Sequence, residues 1–186
     1  MHVYVAVNAS AEINAFATIG GRISINRGLL AQLKSEDALA ALLAHEIAHV
    51  KHRHVATSLG RGLALSVLLA MISSDAGAAS AQSAIGNATG LALLGYSRAQ
   101  EAQADQDALD AVVALYGHAA GFAELFEVLR VAQGGAEGAA LARSHPLTAA
   151  RIAEARARTR AHGWAEAGVL TPLAADIRWQ SNSPTH

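Results

Sequence analysis

The sequence predicts a mainly α-helical chain with a small antiparallel β-sheet or hairpin near its N-terminus. Three observations predict this α+β class. β-prone runs occupy the first 26 residues, apolar residues then recur with the period of helices, and alanine dominates an apolar fraction of 52%. Only three Phe, three Tyr and two Trp are present to fill space, which favours closely packed helices. A length of 186 residues suits a single domain, and we assign residues 1–186 to it.

The predicted strands lie around a glycine pair. One β-prone run covers residues 3–7, a second covers residues 13–19, and a third covers residues 22–26, where apolar and polar residues alternate. Gly20-Gly21 separates the second run from the third, which indicates a β-hairpin. The first run lacks the basic start and apolar core of a signal peptide. Because the chain begins in this strand-like run, we expect natural sequence to precede Met1.

The first predicted helix begins after Ser35, which can cap it, and the acidic residues Glu36 and Asp37 favour its positive end. It should run past Arg53. Its buried stripe is formed by apolar residues at helical spacing, namely Leu39, Leu42, Leu43, Ile47 and Val50. An apolar stretch at residues 59–72 either continues this helix or begins a second one.

That stretch is shorter than the ~20 residues that a membrane-spanning helix needs, so a membrane-inserted processing enzyme is only a third interpretation. Residues 73–90 are rich in Ala, Ser and Gly. This composition indicates either a mobile loop or weak helix over an active-site cleft, or a plain connector.

Three further helices are predicted. Ser97 followed by Gln100 is a capping-box signature, so a helix should open there and stop at Gly117. The next helix has one apolar face, formed by Phe122, Leu125, Phe126 and Leu129. A last helix starts near Pro146 and continues to about Ala161.

Charge and cysteine content exclude several function classes. The formal net charge of −1 produces no field that would attract nucleic acid, so we expect no nucleic-acid partner. The absence of cysteine excludes disulfides, a thiolate nucleophile and a cysteine-based zinc site. Any metal must therefore be bound by histidines and carboxylates.

The segment His45-Glu46-Ile47-Ala48-His49 is an HExxH pattern inside the first predicted helix. Residues four apart face the same side of a helix, so both imidazoles can reach one metal ion. Glu46 lies about 100° around the helix from His45, so it can stand beside the metal without binding it. The alternative is a pair of surface histidines on an alanine-rich helix. The helical context, the carboxylate in apolar surroundings and a second motif downstream argue against that alternative.

A catalytic zinc site needs three protein ligands and an open position for water, so a third ligand must come from elsewhere. His52 shares the helical face of the HExxH histidines and His54 follows it, but neither is preceded by the glycine turn that such a ligand usually needs. We expect both at the surface or at a helix end. Glu101 is favoured because it lies in the first turn of the next strong helix, with Asp105 on the same face. One carboxylate can bind zinc while the other accepts a hydrogen bond from a ligand histidine, although a solvated acidic face is the alternative.

This ligand set predicts one zinc ion per chain and hydrolysis of a peptide bond. Glu46 would take the proton of the attacking water and pass it to the leaving amine. The oxyanion of the transition state needs a further positive or hydrogen-bonding group. The candidates are His145, Arg151, Tyr96 and Arg98, which the sequence does not rank.

These ordered motifs resemble the gluzincin family of zinc metallopeptidases that includes HtpX-like, Oma-type and BepA-like proteases and the CAAX prenyl proteases. The resemblance covers nearly the whole chain. It is carried by Asn14-Ala15-Phe16-Ala17, Arg27-Gly28-Leu29-Leu30, the HEIAH helix, Ser97-Arg98 through Glu101 to Ala104-Asp105, and Ser144-His145-Pro146 followed by Arg151. It implies a zincin-like fold with the HExxH helix in the core.

The resemblance also implies roles for individual residues. Glu101 would be the third zinc ligand, and Asp105 would either orient a ligand or donate a proton. The strand at Asn14-Ala15 would be the edge on which a peptide substrate pairs by strand addition. His145 resembles a histidine that reaches the zinc as an extra ligand and holds the enzyme in a self-inhibited state. The alternative for His145 is a simple helix-start residue.

The chain resembles the soluble, BepA-like branch most closely, because it lacks the long membrane spans of other members. This branch implies a zinc endopeptidase of the bacterial periplasm or cell envelope that acts on misfolded or mis-assembled envelope proteins. A peripheral contact with a membrane or with outer-membrane assembly is also implied. The alternative is a chaperone-like or scaffolding module of low activity, self-inhibited by His145 and the loop at residues 73–90. The sequence indicates neither the physiological substrate nor the oligomeric state.

Overall fold

A computed structural model of the chain describes residues 2–72, 95–135, 139–175 and 177. Within these residues, a three-stranded sheet is followed by helices, so the prediction of a mainly helical chain with a small N-terminal sheet is confirmed. The strands are β1 (Tyr4–Asn8), β2 (Ala15–Thr18) and β3 (Arg22–Asn26). The helices are α1 (Arg27–Leu30), α2 (Glu36–Lys51), α3 (His54–Ile72), α4 (Arg98–Tyr116), α5 (Ala120–Gln133), α6 (Ala139–Ser144) and α7 (Ala149–Ala161).

The sheet has the order β1-β3-β2 and mixed strand directions. β2 and β3 form the predicted antiparallel hairpin, with Thr18 opposite Arg22. Gly20 and Gly21 make its turn with φ angles of 86° and 75°, a left-handed conformation that favours glycine. β1 pairs with β3 in the parallel direction, with Tyr4 opposite Arg22. The sheet is therefore not purely antiparallel, contrary to the sequence prediction. Residue alternation predicts a strand but not the direction of its partner.

The HExxH helix ends earlier than the sequence indicates. Its start is as predicted, since the Ser35 side chain accepts a hydrogen bond from the Ala38 amide at 3.1 Å. Its end is at Lys51, and Arg53 has a left-handed φ of 56° before α3 begins at His54. The prediction of a helix past Arg53 is thus wrong, and residues 59–72 belong to the second helix. No glycine or proline marks this break in the sequence, because a non-glycine residue adopts the break conformation.

The later helices follow their sequence signals closely. The Ser97 side chain caps α4, Gln100 completes the capping box, and Gly117 ends the helix with a φ of 78°. The predicted apolar face of α5 is buried. α7 begins at Ala149 with Thr148 as its cap. The short helices α1 and α6 lack such signals and were not predicted.

α2 is the central helix of the fold and packs against α4, α5 and the β2 strand. The core between them is apolar. Its largest fully buried members are Ile23, Ile25, Leu29, Leu109, Leu125 and Val112. The segment after α7 returns to the start of α2, where the Leu173 amide donates to the Lys34 carbonyl at 3.1 Å and the Leu173 side chain is buried. α2 is therefore contacted on several sides.

The stretch at residues 73–90, predicted as a loop, a weak helix or a connector, lies outside the described residues. Among the helices of the described residues, none combines the length and apolar character that crossing a bilayer requires.

Candidate metal centre

Four buried side chains from separate parts of the chain meet at the centre of the helical layer. α2 contributes His45 and His49, the first turn of α4 contributes Glu101, and His145 follows directly after α6. None of the four is more than 5% exposed. One ligand atom from each lies within 4.8 Å of the ligand atoms of the others. The structure therefore brings together the HExxH histidines, the predicted third ligand and the histidine assigned a regulatory role.

The distances between these atoms have the scale of a metal coordination shell. Nε2 of His45 lies 3.0 Å from Nε2 of His49, which in turn lies 3.4 Å from Oε1 of Glu101. Nδ1 of His145 lies 3.3 Å from Nε2 of His45 and 3.1 Å from Oε1 of Glu101. Ligand atoms at tetrahedral angles and ~2.0–2.1 Å from a zinc ion are about 3.3 Å apart. The donor set thus fits one small cation.

Three buried polar atoms at this place have no hydrogen-bond partner among the described residues. They are Oε2 of Glu46, Oε2 of Glu101 and Nε2 of His145. Oε2 of Glu101 does lie 2.6 Å from Nη1 of Arg151, as an ion pair without hydrogen-bond geometry. A buried polar atom without a partner costs about 1–3 kcal/mol. Such atoms in one cluster fit a site whose further partners are a metal ion, water or substrate.

The ionisation of the cluster suits metal binding. The pKa of His49 is lowered to about 2, chiefly by burial and also by nearby His45 and His145, against the opposing effect of Glu101, so the ring is neutral. Burial alone would raise the pKa of Glu101, but His145 and the HExxH histidines hold it well below its usual range. His49 is therefore neutral and Glu101 ionised, the forms in which these groups bind metals. His145 differs, because burial would lower its pKa but the carboxylates of Glu101 and Glu46 raise it overall.

His45 is supported by a carboxylate and a guanidinium. Nδ1 of His45 lies 3.1 Å from Oδ1 of Asp105. Arg151 donates from Nε and Nη2 to the two oxygens of Asp105, each at 2.7 Å. Burial would raise the pKa of Asp105, but Arg151 and then His45 lower it overall, so Asp105 is ionised. Of the two roles expected for Asp105, this geometry suits orientation of His45 and leaves no proton on Asp105 to donate.

His49 is supported by a different chain of side chains. Its Nδ1 lies 3.0 Å from Nδ1 of His54, and Nε2 of His54 lies 3.1 Å from Oε1 of Gln103. His54 is the first residue of α3, so of the two expected positions it takes the helix end; with only 4% exposure it does not lie at the surface. Burial also lowers the pKa of His54. The break at Arg53 turns the chain back toward His49, which helical spacing did not predict; the histidine-rich segment at residues 51–54 was the only signal.

The other candidate residues differ in how near they lie to the four-residue cluster. The Tyr96 ring stacks on His49 with centroids 3.8 Å apart, and burial raises the Tyr96 pKa, so its phenol is protonated. Oε1 of Glu46 lies 3.6 Å from Nε2 of His145, and Glu46 is 1% exposed. Arg98 is exposed at the start of α4, and His52 is partly exposed beside Asp107, with 2.9 Å between Nε2 and Oδ2.

The strand assigned to substrate pairing is at an edge of the sheet. β2 begins at Ala15, and β3 is its only neighbour among the described strands. Ala15 is fully buried, and the carbonyl of Asn14 accepts a hydrogen bond from the Asn26 amide at 2.9 Å. Strand addition requires such an edge. Pairing of a peptide with Asn14 and Ala15 stays a prediction.

A comparison with protein families finds one match. The model of peptidase family M48 matches residues 2–159. M48 metallopeptidases bind a metal, and the cluster of His45, His49, Glu101 and His145 could hold one.

Named relatives lead in the same direction. A beta-barrel assembly-enhancing protease of Escherichia coli is 29% identical over 163 residues, which are 79% of this chain and 32% of that protein. The metalloprotease LoiP of Escherichia coli is 30% identical over 156 residues, 82% of this chain and 61% of LoiP. The mitochondrial metalloendopeptidase OMA1 of Schizosaccharomyces pombe is 44% identical over 64 residues, 33% of this chain and 19% of OMA1.

The chain spans about a third of the length of the beta-barrel assembly-enhancing protease. All three relatives are named as proteases, and two are named as metal-dependent. Nothing in these names or in the family match favours the chaperone-like alternative.

Proposed function

We propose that this chain, which belongs to peptidase family M48, is a zinc-dependent endopeptidase domain that cleaves peptide bonds of protein substrates. One observation carries the proposal. The two HExxH imidazoles and the carboxylate of Glu101 converge in a buried cluster, with the carboxylate of Glu46 next to them. Burying four titratable side chains together costs free energy unless they bind an ion or a ligand.

Nε2 of His45, Nε2 of His49 and the carboxylate of Glu101 would hold one zinc ion. When bound, zinc polarises the scissile carbonyl as a Lewis acid and lowers the pKa of a coordinated water to ~7. Asp105 would keep His45 in the tautomer whose Nε2 lone pair is free to bind the ion, because the Asp105 carboxylate accepts a hydrogen bond from the Nδ1–H group of His45. Arg151 holds the carboxylates of Asp105 and Glu101 in place. With its nitrogens so engaged, Arg151 suits this orienting role better than oxyanion binding.

Glu46 performs the proton transfers. Its Oε2 is buried and has no hydrogen-bond partner among the described residues, so it is free to accept a proton. As water attacks the carbonyl carbon, Glu46 takes the proton, and it returns the proton to the amide nitrogen as the C–N bond breaks. Tyr96 keeps its proton and can donate a hydrogen bond toward developing negative charge.

His145 would regulate access to the ion. Its Nδ1 stands at about the distance of a fourth ligand from His45 and Glu101. A zinc site with four protein ligands has no open position for water, so this arrangement corresponds to a self-inhibited state. Proteolysis then requires His145 to leave the cluster.

The substrates we propose are misfolded or mis-assembled envelope proteins in the bacterial periplasm or cell envelope. The resemblance to BepA-like proteases and the name of the Escherichia coli relative, a beta-barrel assembly-enhancing protease, support this assignment. The same name supports contact with outer-membrane assembly. An extended substrate segment would pair with the β2 edge at Asn14 and Ala15.

The central test compares the purified protein with its Glu46→Gln variant in cleavage of an unfolded casein, together with zinc content by elemental analysis. We expect about one zinc per chain in both proteins and a loss of ~10²–10⁴-fold in cleavage rate for Glu46→Gln. Glu154→Gln, a substitution of an exposed carboxylate on α7, is the matched control and should cleave normally. Equal cleavage by the parent and Glu46→Gln, or a parent without zinc, would contradict the proposal.

The regulatory role of His145 has its own test. His145→Ala should raise basal casein cleavage about tenfold or more, since a closed state favoured by ~1.4 kcal/mol suppresses activity tenfold. It should also weaken zinc binding, because a fourth ligand is lost. His162→Ala, an exposed histidine, is the control. Unchanged proteolysis and unchanged zinc affinity in His145→Ala would show that His145 is not a switch.

A further inference from the structure

We infer that His54 is a positioning residue for the metal ligand His49. His54 accepts a hydrogen bond from Nδ1 of His49 and so selects the tautomer that leaves Nε2 of His49 free to bind the metal. The inference rests on the zinc site proposed above. It adds a residue that the HExxH pattern and the family resemblance do not point to.

The hydrogen-bond chain has only one consistent assignment of protons once Nε2 of His49 binds a metal. The proton of the neutral His49 ring must then be on Nδ1, 3.0 Å from Nδ1 of His54, which accepts it. The proton of His54 is consequently on Nε2, which donates to the amide oxygen of Gln103 at 3.1 Å. An amide oxygen can only accept, so the chain ends there. Every polar atom in it has a partner, and no charge is introduced.

The backbone delivers His54 to this position by an unusual conformation. Arg53 has a φ of 56°, and it is the only non-glycine residue with positive φ among the residues that the structure describes. A left-handed L-residue costs about 1–2 kcal/mol, and such strain persists where the surroundings determine it. Here the left-handed residue lies just after α2 and turns the ring of the following residue back onto α2. The strain thus coincides with the His49–His54 contact.

α4 anchors His54 on the side away from His49. Besides the bond from Nε2 to Gln103, the His54 carbonyl accepts from Nε2 of Gln100 at 3.5 Å. Gln100 and Gln103 flank Glu101, the proposed third ligand. His54 therefore ties a ligand on α2 to the helix segment that carries the ligand from α4. Loss of its ring nitrogens should loosen the metal site without removing a ligand.

Zinc affinity, measured by competition with a chromophoric chelator, is the first test. His54→Phe keeps the ring volume but removes the acceptor, and we expect zinc binding to weaken ~10–100-fold. His54→Asn places an amide oxygen near the former Nδ1 and should recover most of the affinity. His52→Phe is the matched control, because His52 stacks on His54 but bonds to Asp107 instead of the metal ligands, and it should bind zinc like the parent. Parent-like affinity of His54→Phe would overturn the inference.

The second test reads the tautomers directly and does not depend on any variant. Long-range proton–nitrogen-15 correlation spectra of the zinc-loaded parent should show His49 protonated at Nδ1 and His54 protonated at Nε2. A His54 ring protonated at Nδ1 would overturn the inference even if His54→Phe failed to fold. A parent protein that binds no zinc would instead overturn the proposed function, so the two failures are distinguishable.

Discussion

The two imidazoles of the HExxH motif are supported by arms of different chemistry. The carboxylate arm consists of His45, Asp105 and Arg151, and the imidazole arm consists of His49, His54 and Gln103. The first ends in an ion pair, whereas the second contains no charge. A carboxylate raises the basicity of the imidazole it contacts, and a neutral acceptor only directs its proton.

The charge balance of the site explains why the arms differ. Glu46, Glu101 and Asp105 are already buried together, and Arg151 is the guanidinium that contacts two of them. A fourth buried carboxylate beside His49 would need a further cation, because an uncompensated buried charge costs several kcal/mol. A neutral histidine provides the hydrogen bond without that requirement. The comparison teaches that both imidazoles have a hydrogen-bonding partner at Nδ1 but that only one of the two arms carries charge.

Breaking the carboxylate arm at its cation should have the largest effect. Arg151→Met leaves Asp105 and Glu101 buried without their guanidinium, so we expect the free energy of unfolding of the metal-free protein to fall by ~3–5 kcal/mol in urea titrations. Arg158→Met is the matched control, because Arg158 makes the same two-bond contact with Asp110 at a more exposed place. It should lose no more than ~1 kcal/mol. Equal losses of unfolding free energy in the two variants would mean that burial does not determine how much the Arg151 contact stabilises the fold.

Removing the charge of Asp105 while keeping a hydrogen-bond acceptor should sharpen the comparison of the two arms. Asp105→Asn retains an oxygen near Nδ1 of His45 but loses the negative charge, and we expect zinc affinity to fall ~10–100-fold in chelator competition. The corresponding neutral substitution in the other arm, His54→Asn, should have a much smaller effect because no charge is lost. Similar losses for both variants would refute the distinction between the arms. Circular dichroism of each variant checks that the helices remain.

The smallest effect is expected at Asp107, a partly exposed carboxylate that, like Asp105, contacts a histidine and a basic side chain. Asp107 bonds to His52 and Lys51 at the surface, and Asp107→Asn should lower the free energy of unfolding by less than ~1 kcal/mol at neutral pH. Slight burial raises the pKa of Asp107, but Lys51 and His52 lower it overall. A depressed carboxyl pKa stabilises the fold above the unfolded pKa of about 4, and this contribution disappears as the pH falls further.

Urea titrations of the parent and Asp107→Asn at several pH values check this sign. The difference between the two proteins should be greatest near neutral pH and should vanish under acid conditions. A difference that grows on acidification would contradict it.

Much of the local structure could be predicted because its signals lie within a few residues of each other. The capping box of Ser97 and Gln100, the stop at Gly117 and the turn at Gly20-Gly21 each depend on the conformational preferences of the residues concerned. The position of His45 and His49 on the same side of the helix follows from the helical repeat alone. The candidate metal ligands therefore came from spacing and helix position, without knowledge of the fold.

The sequence by itself thus determined the helical class, the hairpin, the main helix boundaries and the residue types that can bind a metal. Only the tertiary structure decided that β1 runs parallel to β3, that α2 breaks at Arg53, and that His54 lies under His49. It also decided that Arg151 joins Asp105 to Glu101. The physical reason is distance along the chain. Partners from other elements stabilise the strand direction, the left-handed arginine and the buried ion pairs. A local sequence pattern does not indicate which residues from distant parts of the chain these partners will be.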